Sequence, residues 1–320
     1  MKNKINIAMV GVGAWGANLL RNFVNLPDVN VKTCCDLDLP RLQLVSEQHS
    51  SIKVTTNINA VLDDPDIDAV VVAVNTSSHF DVASLVLDAN KSVYVEKPMC
   101  VSVEQAKALC DNAASKNLTL MVGHVFLYHP AVVKIKKLIN DGELGQVHTI
   151  HSRRLNWGKV RSDENAMSSL APHDISIMIY LFDEKPTEVI SSGIAYLQER
   201  IEDTVMVSLK FPGNKMGFIH SSWIDPVKER KITVIGSNKT AVFDMMAKDS
   251  MLKIYQDGRE VDSPTLLDME PLALECQHFI DCVRNNKQPL SDGQNGLEVV
   301  SVLEVAQKAL QRSYFINIMG

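Results

Sequence analysis

Two ionisable residues, Glu96 and Lys97, follow a short apolar run at residues 92–95 and precede Pro98. The run predicts a buried parallel strand, and open α/β sheets bind their ligands at the carboxyl ends of such strands. A lysine at that position can hydrogen-bond a substrate hydroxyl and stabilise the negative charge that develops on its oxygen. We therefore predict Lys97 as a catalytic and substrate-binding residue. Glu96 is expected to orient Lys97 or to contact a cofactor ribose.

His173 is the second candidate for proton transfer. It follows Pro172, a residue type that suits the first turn of a helix. The positive end of a helix dipole favours the neutral imidazole, which accepts a proton. We predict His173 as a base that touches substrate. Whether Lys97 or His173 is the primary base stays open.

A glycine-rich turn, Gly11-x-Gly13-x-x-Gly16, directly follows the apolar residues 5–10. Such a turn between a strand and a helix brings backbone N–H groups and the positive helix end to a pyrophosphate. The alternative is a purely structural glycine turn. We predict a dinucleotide site in which the turn residues contact the cofactor, namely Gly11, Gly13, Ala14, Trp15 and Gly16.

Asp36 lies twenty residues after Gly16, at the end of the second predicted strand, where a carboxylate binds the adenosine ribose 2′-OH. Asp38 adds negative charge and position 37 is not arginine, so NAD is favoured over NADP. Asn75, Thr76 and His79, which follow the fourth strand, are predicted to contact the ribose or the pyrophosphate. Helix capping by Ser77 explains that segment equally well.

Basic residues cluster between positions 153 and 161 in an otherwise acidic protein. Such side chains bind a diphosphate, and neighbouring polar or aromatic groups line a sugar pocket. A solvated charged loop is the alternative. The substrate-binding candidates here are Arg153, Arg154, Asn156, Trp157 and Arg161, and the run also includes Lys159. The spacing of His, Cys and acidic residues suggests no metal site, so we expect metal-free hydride transfer.

The first 122 residues alternate apolar strands with helices, which predicts a doubly wound parallel sheet. The strands are predicted at 5–10, 29–35, 52–55, 69–74, 92–95 and 119–122, and the helices at 15–26, 39–49, 77–89 and 102–116. Residues 123–320 change pattern. Successive strands with short turns predict an antiparallel sheet at 187–197, 203–211, 215–225, 231–236, 240–245, 251–255 and 259–262. Helices are expected near 130–140, after Pro172, and at 270–285 and 296–312. The fold class is therefore α/β, with an N-terminal doubly wound (Rossmann) domain at 1–122 and a C-terminal α+β domain at 123–320.

Composition excludes several classes of protein. The 320 residues are 46% hydrophobic and 22% charged, with a formal net charge of −6. This balance argues against a nucleic-acid or anionic-membrane surface. Apolar runs are shorter than a transmembrane helix requires, and the glycine turn interrupts the only leader-like segment. We expect a cytoplasmic protein whose six cysteines are reduced.

Together these motifs resemble the Gfo/Idh/MocA oxidoreductases, since few Rossmann proteins place Glu-Lys-Pro after the fifth strand. The resemblance runs end to end. It implies NAD as cofactor and a C-terminal domain (123–320) for substrate binding and oligomerisation, whose open, mainly antiparallel sheet forms a homodimer or homotetramer interface. The later family motif, Asp-x-Gly-x-His, corresponds here to Ser169–His173, with Ser169 and Ala171 in place of the acid and the glycine. A catalytic carboxylate four residues before His173 is therefore missing.

Stretches at 123–130, 153–161 and 170–176 resemble 3-dehydrogenases of UDP-N-acetylglucosamine. The implied reaction is NAD-dependent oxidation of a sugar ring hydroxyl to a ketone, and the leading hypothesis is oxidation at C3 of that nucleotide sugar. Three alternatives stay open. They are a cyclitol or free-sugar dehydrogenase, a glycosidase that uses NAD transiently, and an NAD-binding regulator without catalysis. Retention of both Lys97 and His173 counts against the regulator.

Overall fold

A computed structural model describes residues 4–158, 160–162 and 164–312, which divide into two compact units. The first unit comprises the described part of Met1–Tyr128 together with Met269–Val300. The second comprises His129–Asp268 and the described part of Ser301–Gly320.

The first unit is built on a parallel sheet of six described strands in the order β3-β2-β1-β4-β5-β6, the order of a dinucleotide-binding Rossmann domain. The strands are β1 (Ile5–Val10), β2 (Val29–Cys35), β3 (Lys53–Thr55), β4 (Ala69–Val72), β5 (Ser92–Glu96) and β6 (Leu120–Gly123). The helices between them are α1 (Ala14–Asn25), α2 (Leu39–Gln48), α3 (Asn59–Leu62), α4 (Thr76–Asp88) and α5 (Val103–Ser115), and a 3₁₀ turn follows at Val125–Tyr128. The predicted fold class is confirmed.

Burial explains why these strands are apolar throughout. Every residue of β4 is buried because helices cover both faces of the sheet. Ala83, Val86 and Leu87 of α4 pack onto the sheet and are fully buried. Each fully buried valine or leucine side chain stabilises the fold by about 1.5–3 kcal/mol.

The second unit contains a mixed sheet of eight described strands in the order β14-β13-β12-β11-β7-β10-β9-β8. Its elements are α6 (Pro130–Asn140), β7 (Val147–Trp157), α7 (Ala166–Phe182), β8 (Glu188–Ile194), β9 (Thr204–Phe211), β10 (Lys215–Ser222), β11 (Ile224–Gly236), β12 (Thr240–Asp244), β13 (Leu252–Gln256) and β14 (Arg259–Asp262). All strand pairs are antiparallel except β7 with β10. The chain ends in α8 (Pro271–Asn285) and α9 (Gly293–Arg312).

The division into units differs from the predicted boundary after residue 122. Residues 269–300 belong to the first unit because α8 packs on α1 and on the 3₁₀ turn at Val125–Tyr128. A boundary read along the chain does not reveal such a return of the C-terminal segment.

Helix α7 begins at Ala166, six residues before Pro172, which the sequence analysis placed in the first turn. Asn165 caps it, because its side-chain oxygen accepts a hydrogen bond from the Ser168 N–H at 3.0 Å. Pro172 and His173 therefore lie inside the helix, and the expected effect of the helix dipole on His173 is wrong. An interior proline costs about 3 kcal/mol. The burial of 13 of the 17 helix residues offsets that cost.

The basic run belongs to a strand rather than to a loop up to Trp157, because β7 pairs with β10 on one side and with β11 on the other. The solvated-loop alternative is therefore wrong for residues 153–157. Lys159 lies outside the described residues.

None of the helices within the described ranges combines the length and the apolar content needed to cross a membrane.

Candidate active site

The glycine turn has the geometry that a phosphate-binding loop requires. Gly11 has φ +92°, and a Cβ there would lie 2.4 Å from the Ala73 carbonyl oxygen. A Cβ at Gly16 would lie 2.3 Å from the Gly11 carbonyl oxygen. Only glycine fits either position. No described side chain caps α1, so its first-turn N–H groups are available to an anionic ligand such as a pyrophosphate.

Asp36 ties the end of β2 to this turn. Its carboxylate accepts hydrogen bonds from the Val12 N–H at 2.7 Å and from the Asp38 N–H at 2.9 Å. Arg41, which the sequence reasoning missed, lies 3.8 Å from Asp36 and 3.1 Å from Asp38. Two carboxylates thus surround one guanidinium, and the local charge at the end of β2 stays negative.

The segment after β4 closes against the end of β5. Asn75 stands at the N-cap of α4, which begins at Thr76, so the alternative role of Ser77 as the cap is wrong. The buried ring of His79 lies between two backbone carbonyls, 2.8 Å from that of Pro98 and 3.1 Å from that of Val74. His79 therefore packs between the ends of β4 and β5, and burial lowers its pKa, so the neutral ring donates its single N–H to one of the two carbonyls.

Glu96 connects the strand end to the glycine turn. Trp15 donates its indole N–H to Glu96 Oε1 at 2.6 Å, and the Lys97 backbone N–H donates to Glu96 Oε2 at 3.1 Å. Burial raises the pKa of Glu96, while the Trp15 hydrogen bond and the positive charge of Lys97 act in the opposite direction. Lys97 itself is partly buried and precedes a cis peptide bond to Pro98. The structure thus gathers the predicted cofactor residues and Lys97 at one edge of the sheet.

His124 is a buried neighbour of Lys97 without a counterpart among the predicted site residues. Neither of its ring nitrogens has a hydrogen-bond partner among the described residues. Burial, and after it the charge of Lys97, lowers the pKa of His124 to about 3. His124 is therefore neutral at physiological pH and is a poor proton acceptor.

In the second unit, His173 lies on α7 and is partly buried. Ser169, one helical turn earlier, occupies the same face of the helix, so the residue that replaces the family's acid is the neighbour of His173. Asp174 points elsewhere and binds Arg154 through two parallel hydrogen bonds of 2.9 Å. Both partners of this ion pair are almost completely buried.

The other substrate-binding candidates lie on or just after β7. Arg153 pairs with Glu229 at 3.2 Å, and Arg161 pairs with Glu164 at 2.9 Å. Trp157 is 71% exposed. These arginines are each balanced by a carboxylate, as Arg154 is by Asp174.

Arg230, on β11, is a candidate that sequence reasoning missed. Strand register places it opposite Arg154, and it donates to the side-chain oxygen of Asn156 and to the Leu155 carbonyl at 2.9 Å. Burial, followed by the charge of Arg154, lowers the pKa of Arg230 to about 10, so it stays cationic. Within the described ranges it forms no ion pair. Only the pairing of β7 with β11 reveals this residue.

Metal-binding geometry is absent from the described part of the chain, where no group of three or more His, Cys, Asp or Glu residues is arranged to hold an ion. The groups gathered at the first sheet are instead backbone N–H donors, a lysine, and the accepting carboxyl groups of Asp36 and Glu96. Such a set fits a dinucleotide with a reacting hydroxyl.

Comparison with known proteins supports this interpretation. Residues 5–124 match the oxidoreductase family with an NAD-binding Rossmann fold, and residues 132–242 match the GFO/IDH/MocA C-terminal domain. The NAD(+)-dependent scyllo-inositol 2-dehydrogenase of Bacillus subtilis is 25% identical, over 91% of this chain and 89% of that protein.

Two solved structures share the fold over nearly the whole chain. The UDP-N-acetylglucosamine 3-dehydrogenase GnnA of Acidithiobacillus ferrooxidans has a TM-score of 0.87 at 22% identity, covering 96% of this chain and 98% of its own. An oxidoreductase of Agrobacterium radiobacter, solved with NAD+, L-tartaric acid and magnesium, has a TM-score of 0.87 at 17% identity, covering 99% of both chains.

The two family domains together span most of the chain, in the order and with the folds that the structure shows. The glycine turn, Asp36 and the Glu-Lys-Pro segment all lie at the carboxyl ends of the parallel strands. The chain is therefore an NAD-binding oxidoreductase of the Gfo/Idh/MocA family.

Proposed function

We propose that the protein is an NAD-dependent dehydrogenase that oxidises a ring hydroxyl of a sugar to a ketone, and that its substrate is UDP-N-acetylglucosamine, oxidised at C3. One observation carries the proposal of catalysis. Glu96, which receives the Trp15 indole N–H and the Lys97 backbone N–H, holds a lysine beside the glycine turn. A protein that only sensed NAD has no use for a cation fixed at that point.

The chain's own residues have distinct roles in this proposal. NAD, when bound, supplies the acceptor for the hydride that leaves the carbinol carbon. Lys97 donates a hydrogen bond to the reacting oxygen and stabilises its developing negative charge. Lys97 and His173 share the transfer of the hydroxyl proton, and Asp174 holds Arg154 rather than acting as the base.

A nucleotide sugar is favoured by the basic residues of the second unit. We propose that Arg153, Arg154, Asn156, Trp157 and Arg161 bind it, with Arg230 as a further contact. Arg230 carries a positive charge without a carboxylate partner among the described residues, so an anionic substrate gains most from it. GnnA, which shares the fold, acts on such a nucleotide sugar according to its name.

A cyclitol is the second candidate substrate. The relative that favours it is the scyllo-inositol 2-dehydrogenase of Bacillus subtilis, which aligns with most of this chain. The ion pairs of Arg153 and Arg161 with acidic neighbours are also compatible with a neutral substrate.

NADH formation with a panel of substrates separates these candidates. We expect kcat/KM for UDP-N-acetylglucosamine to exceed that for free N-acetylglucosamine, myo-inositol and scyllo-inositol by at least about 100-fold, because buried donors built for a charged group reject analogues that lack it. The product should react with carbonyl reagents as a ketone does. NMR should place the new carbonyl carbon at C3. Faster reduction of NAD by an inositol would replace the nucleotide sugar with a cyclitol. NAD binding without reduction by any substrate would support the regulator instead.

Cofactor choice is tested at Asp36. We expect Asp36→Ala to reduce the preference for NAD over NADP by about tenfold, because a hydrogen bond to a charged carboxylate contributes about 1.5–3 kcal/mol and its charge repels a 2′-phosphate. The KM for both cofactors should also rise, because Asp36 holds the Val12 N–H of the glycine turn. The measurement is kcat/KM for each cofactor at a saturating concentration of the sugar substrate.

Asp38→Ala is the matched control for Asp36. It removes a carboxylate that binds Arg41 without accepting a hydrogen bond from the glycine turn. Its effect on the cofactor ratio should be several-fold smaller. An unchanged ratio in Asp36→Ala would place recognition of the 2′-OH elsewhere.

We also propose that the second sheet forms a homodimer or homotetramer interface. Ile190, Ile194 and Met206 are between 48% and 72% exposed. The register of β8 with β9 places all three on the same face of the sheet. Apolar side chains grouped in this way favour burial against a second copy.

A further inference from the structure

A buried polar chain runs behind Lys97, from α8 to the glycine turn. The Tyr94 hydroxyl oxygen lies 2.9 Å from Oε2 of Glu275 and 3.2 Å from Oε1 of Glu96. Glu96 then accepts from Trp15 and from the Lys97 backbone N–H. Glu275 lies 181 positions from Tyr94 in the sequence, so only the fold reveals the connection.

If both carboxyl groups are ionised, the Tyr94 hydroxyl has too few protons to form both hydrogen bonds. A tyrosine hydroxyl has one proton and donates one hydrogen bond, yet Tyr94 faces two carboxyl groups at hydrogen-bond distance. Both contacts are hydrogen bonds only if one carboxyl group carries a proton. The protonated carboxyl group then donates a hydrogen bond to the Tyr94 oxygen, and the Tyr94 hydroxyl donates to the other carboxylate.

Glu275 is the group that carries this proton. It is completely buried, its Oε1 has no hydrogen-bond partner among the described residues, and no basic side chain within those ranges pairs with it. Glu96 instead receives donors from Trp15, Tyr94 and Lys97, which favour its ionised form. Burial, with the nearby charge of Glu96, raises the pKa of Glu275 well above its usual range.

Aromatic side chains surround the hydroxyl-bearing ring of Tyr94. The rings of Phe23 and Phe279 pack edge-on against Tyr94, with centroids 6.4 Å and 5.7 Å away. Gly123, the partner of Glu96 on β6, leaves the space that the polar groups occupy. A Cβ there would lie 2.6 Å from the Tyr94 hydroxyl and 2.8 Å from Glu96 Oε1. Buried polar groups in such a setting must satisfy one another.

We propose that Glu275 is a neutral acid and a positioning residue for the catalytic lysine: it donates to Tyr94, Tyr94 donates to Glu96, and Glu96 fixes both Trp15 and the backbone of Lys97. The inference rests on the proposed role of Lys97 and deepens it. Glu275 touches neither cofactor nor substrate. Its effect reaches the reaction through the orientation of the strand end that carries Lys97.

The test compares three substitutions among these buried polar groups. Glu275→Gln keeps a neutral side chain with a donor, and it should retain kcat within about threefold of wild type, whereas Glu275→Met and Tyr94→Phe should each lower kcat by about tenfold, since a small misplacement of a catalytic group costs one to two orders of magnitude. The KM for NAD should change less than kcat does. The double variant Glu275→Met/Tyr94→Phe should have a kcat no lower than that of either single variant, because both substitutions remove the same connection.

Two results would overturn the proposal. One is a Glu275→Gln variant that is as impaired as Glu275→Met, because an ionised Glu275 is not replaced by an amide. The other is the absence, at neutral pH, of a protonated-carboxyl C=O band from the infrared difference spectrum between wild type and Glu275→Gln. Asp281→Asn, which removes an exposed carboxylate from the same helix, is the control and should leave both readouts unchanged.

The infrared measurement also separates this proposal from the proposed function. It is made on the protein without substrate, so its outcome does not depend on which hydroxyl is oxidised. If the band is present but Lys97→Ala keeps its activity, the role of Lys97 fails while the neutral acid stands. If Lys97→Ala is inactive but the band is absent, Glu275 is ionised and the positioning chain fails alone.

Discussion

Lys97→Ala is expected to lower kcat by about 10³-fold, the range lost when a general acid–base group or an alkoxide-stabilising donor is removed. The binding of NAD should change little, because the glycine turn and Asp36 hold its phosphates and adenosine ribose in our proposal. Single-turnover NADH formation at saturating NAD measures the first effect, and the change in intrinsic fluorescence on adding NAD measures the second. A variant with near-wild-type turnover would contradict the role of Lys97.

Lys97→Arg separates the two contributions that a lysine makes. Arginine keeps the positive charge but has a planar, permanently protonated head group. Partial activity in Lys97→Arg would therefore assign Lys97 to charge stabilisation and leave proton transfer to His173. Equal inactivity of Lys97→Arg and Lys97→Ala would include Lys97 in the proton transfer. Lys107→Ala, at an exposed position of α5, is the matched control and should be fully active.

His173→Ala completes this comparison. If Lys97 and His173 act on the same proton, the double variant Lys97→Ala/His173→Ala should have a kcat only slightly below that of the more impaired single variant. Residues that work as a unit have non-additive effects. Multiplicative losses would show that the two residues serve different steps.

The fold was accessible from sequence because its strands are short and apolar. Residues 69–72 and 92–95 are buried on both faces, so their pattern identifies a parallel sheet whatever the remaining chain does. The motif residues at 11–16, at 36 and at 96–97 are also recognised from their immediate neighbours in the sequence. Each stands at the end of a strand, and the sheet topology brings those ends together.

Other parts of the site depend on information that is not local. Arg230 faces Arg154 only through the register of β7 with β11, and Tyr94 meets Glu275 only because the C-terminal segment returns to the first unit. The position of His173 was predicted poorly for a different reason. Pro172 is a strong signal for the first turn of a helix, but burial of the α7 side chains outweighs it.

The second large effect concerns the buried ion pair of Arg154 and Asp174. We expect Arg154→Met to lower the free energy of unfolding by about 3–5 kcal/mol, because it leaves a fully buried carboxylate without the guanidinium that binds it. Urea unfolding of the purified protein measures the loss. The double variant Arg154→Met/Asp174→Leu should recover most of it, since apolar residues of similar volume replace a buried pair at little cost.

The double variant also decides between two roles of Arg154. If the arginine serves only the fold, the recovered protein should have a KM for the sugar substrate near that of wild type. If Arg154 contacts the substrate's diphosphate, stability should return while the KM rises by about tenfold or more, since a charge-assisted hydrogen bond contributes about 1.5–3 kcal/mol. Arg153→Met, at a half-exposed position on the same strand, is the control for stability. A loss below about 1 kcal/mol in Arg154→Met, the range of an exposed pair, would contradict the burial argument itself.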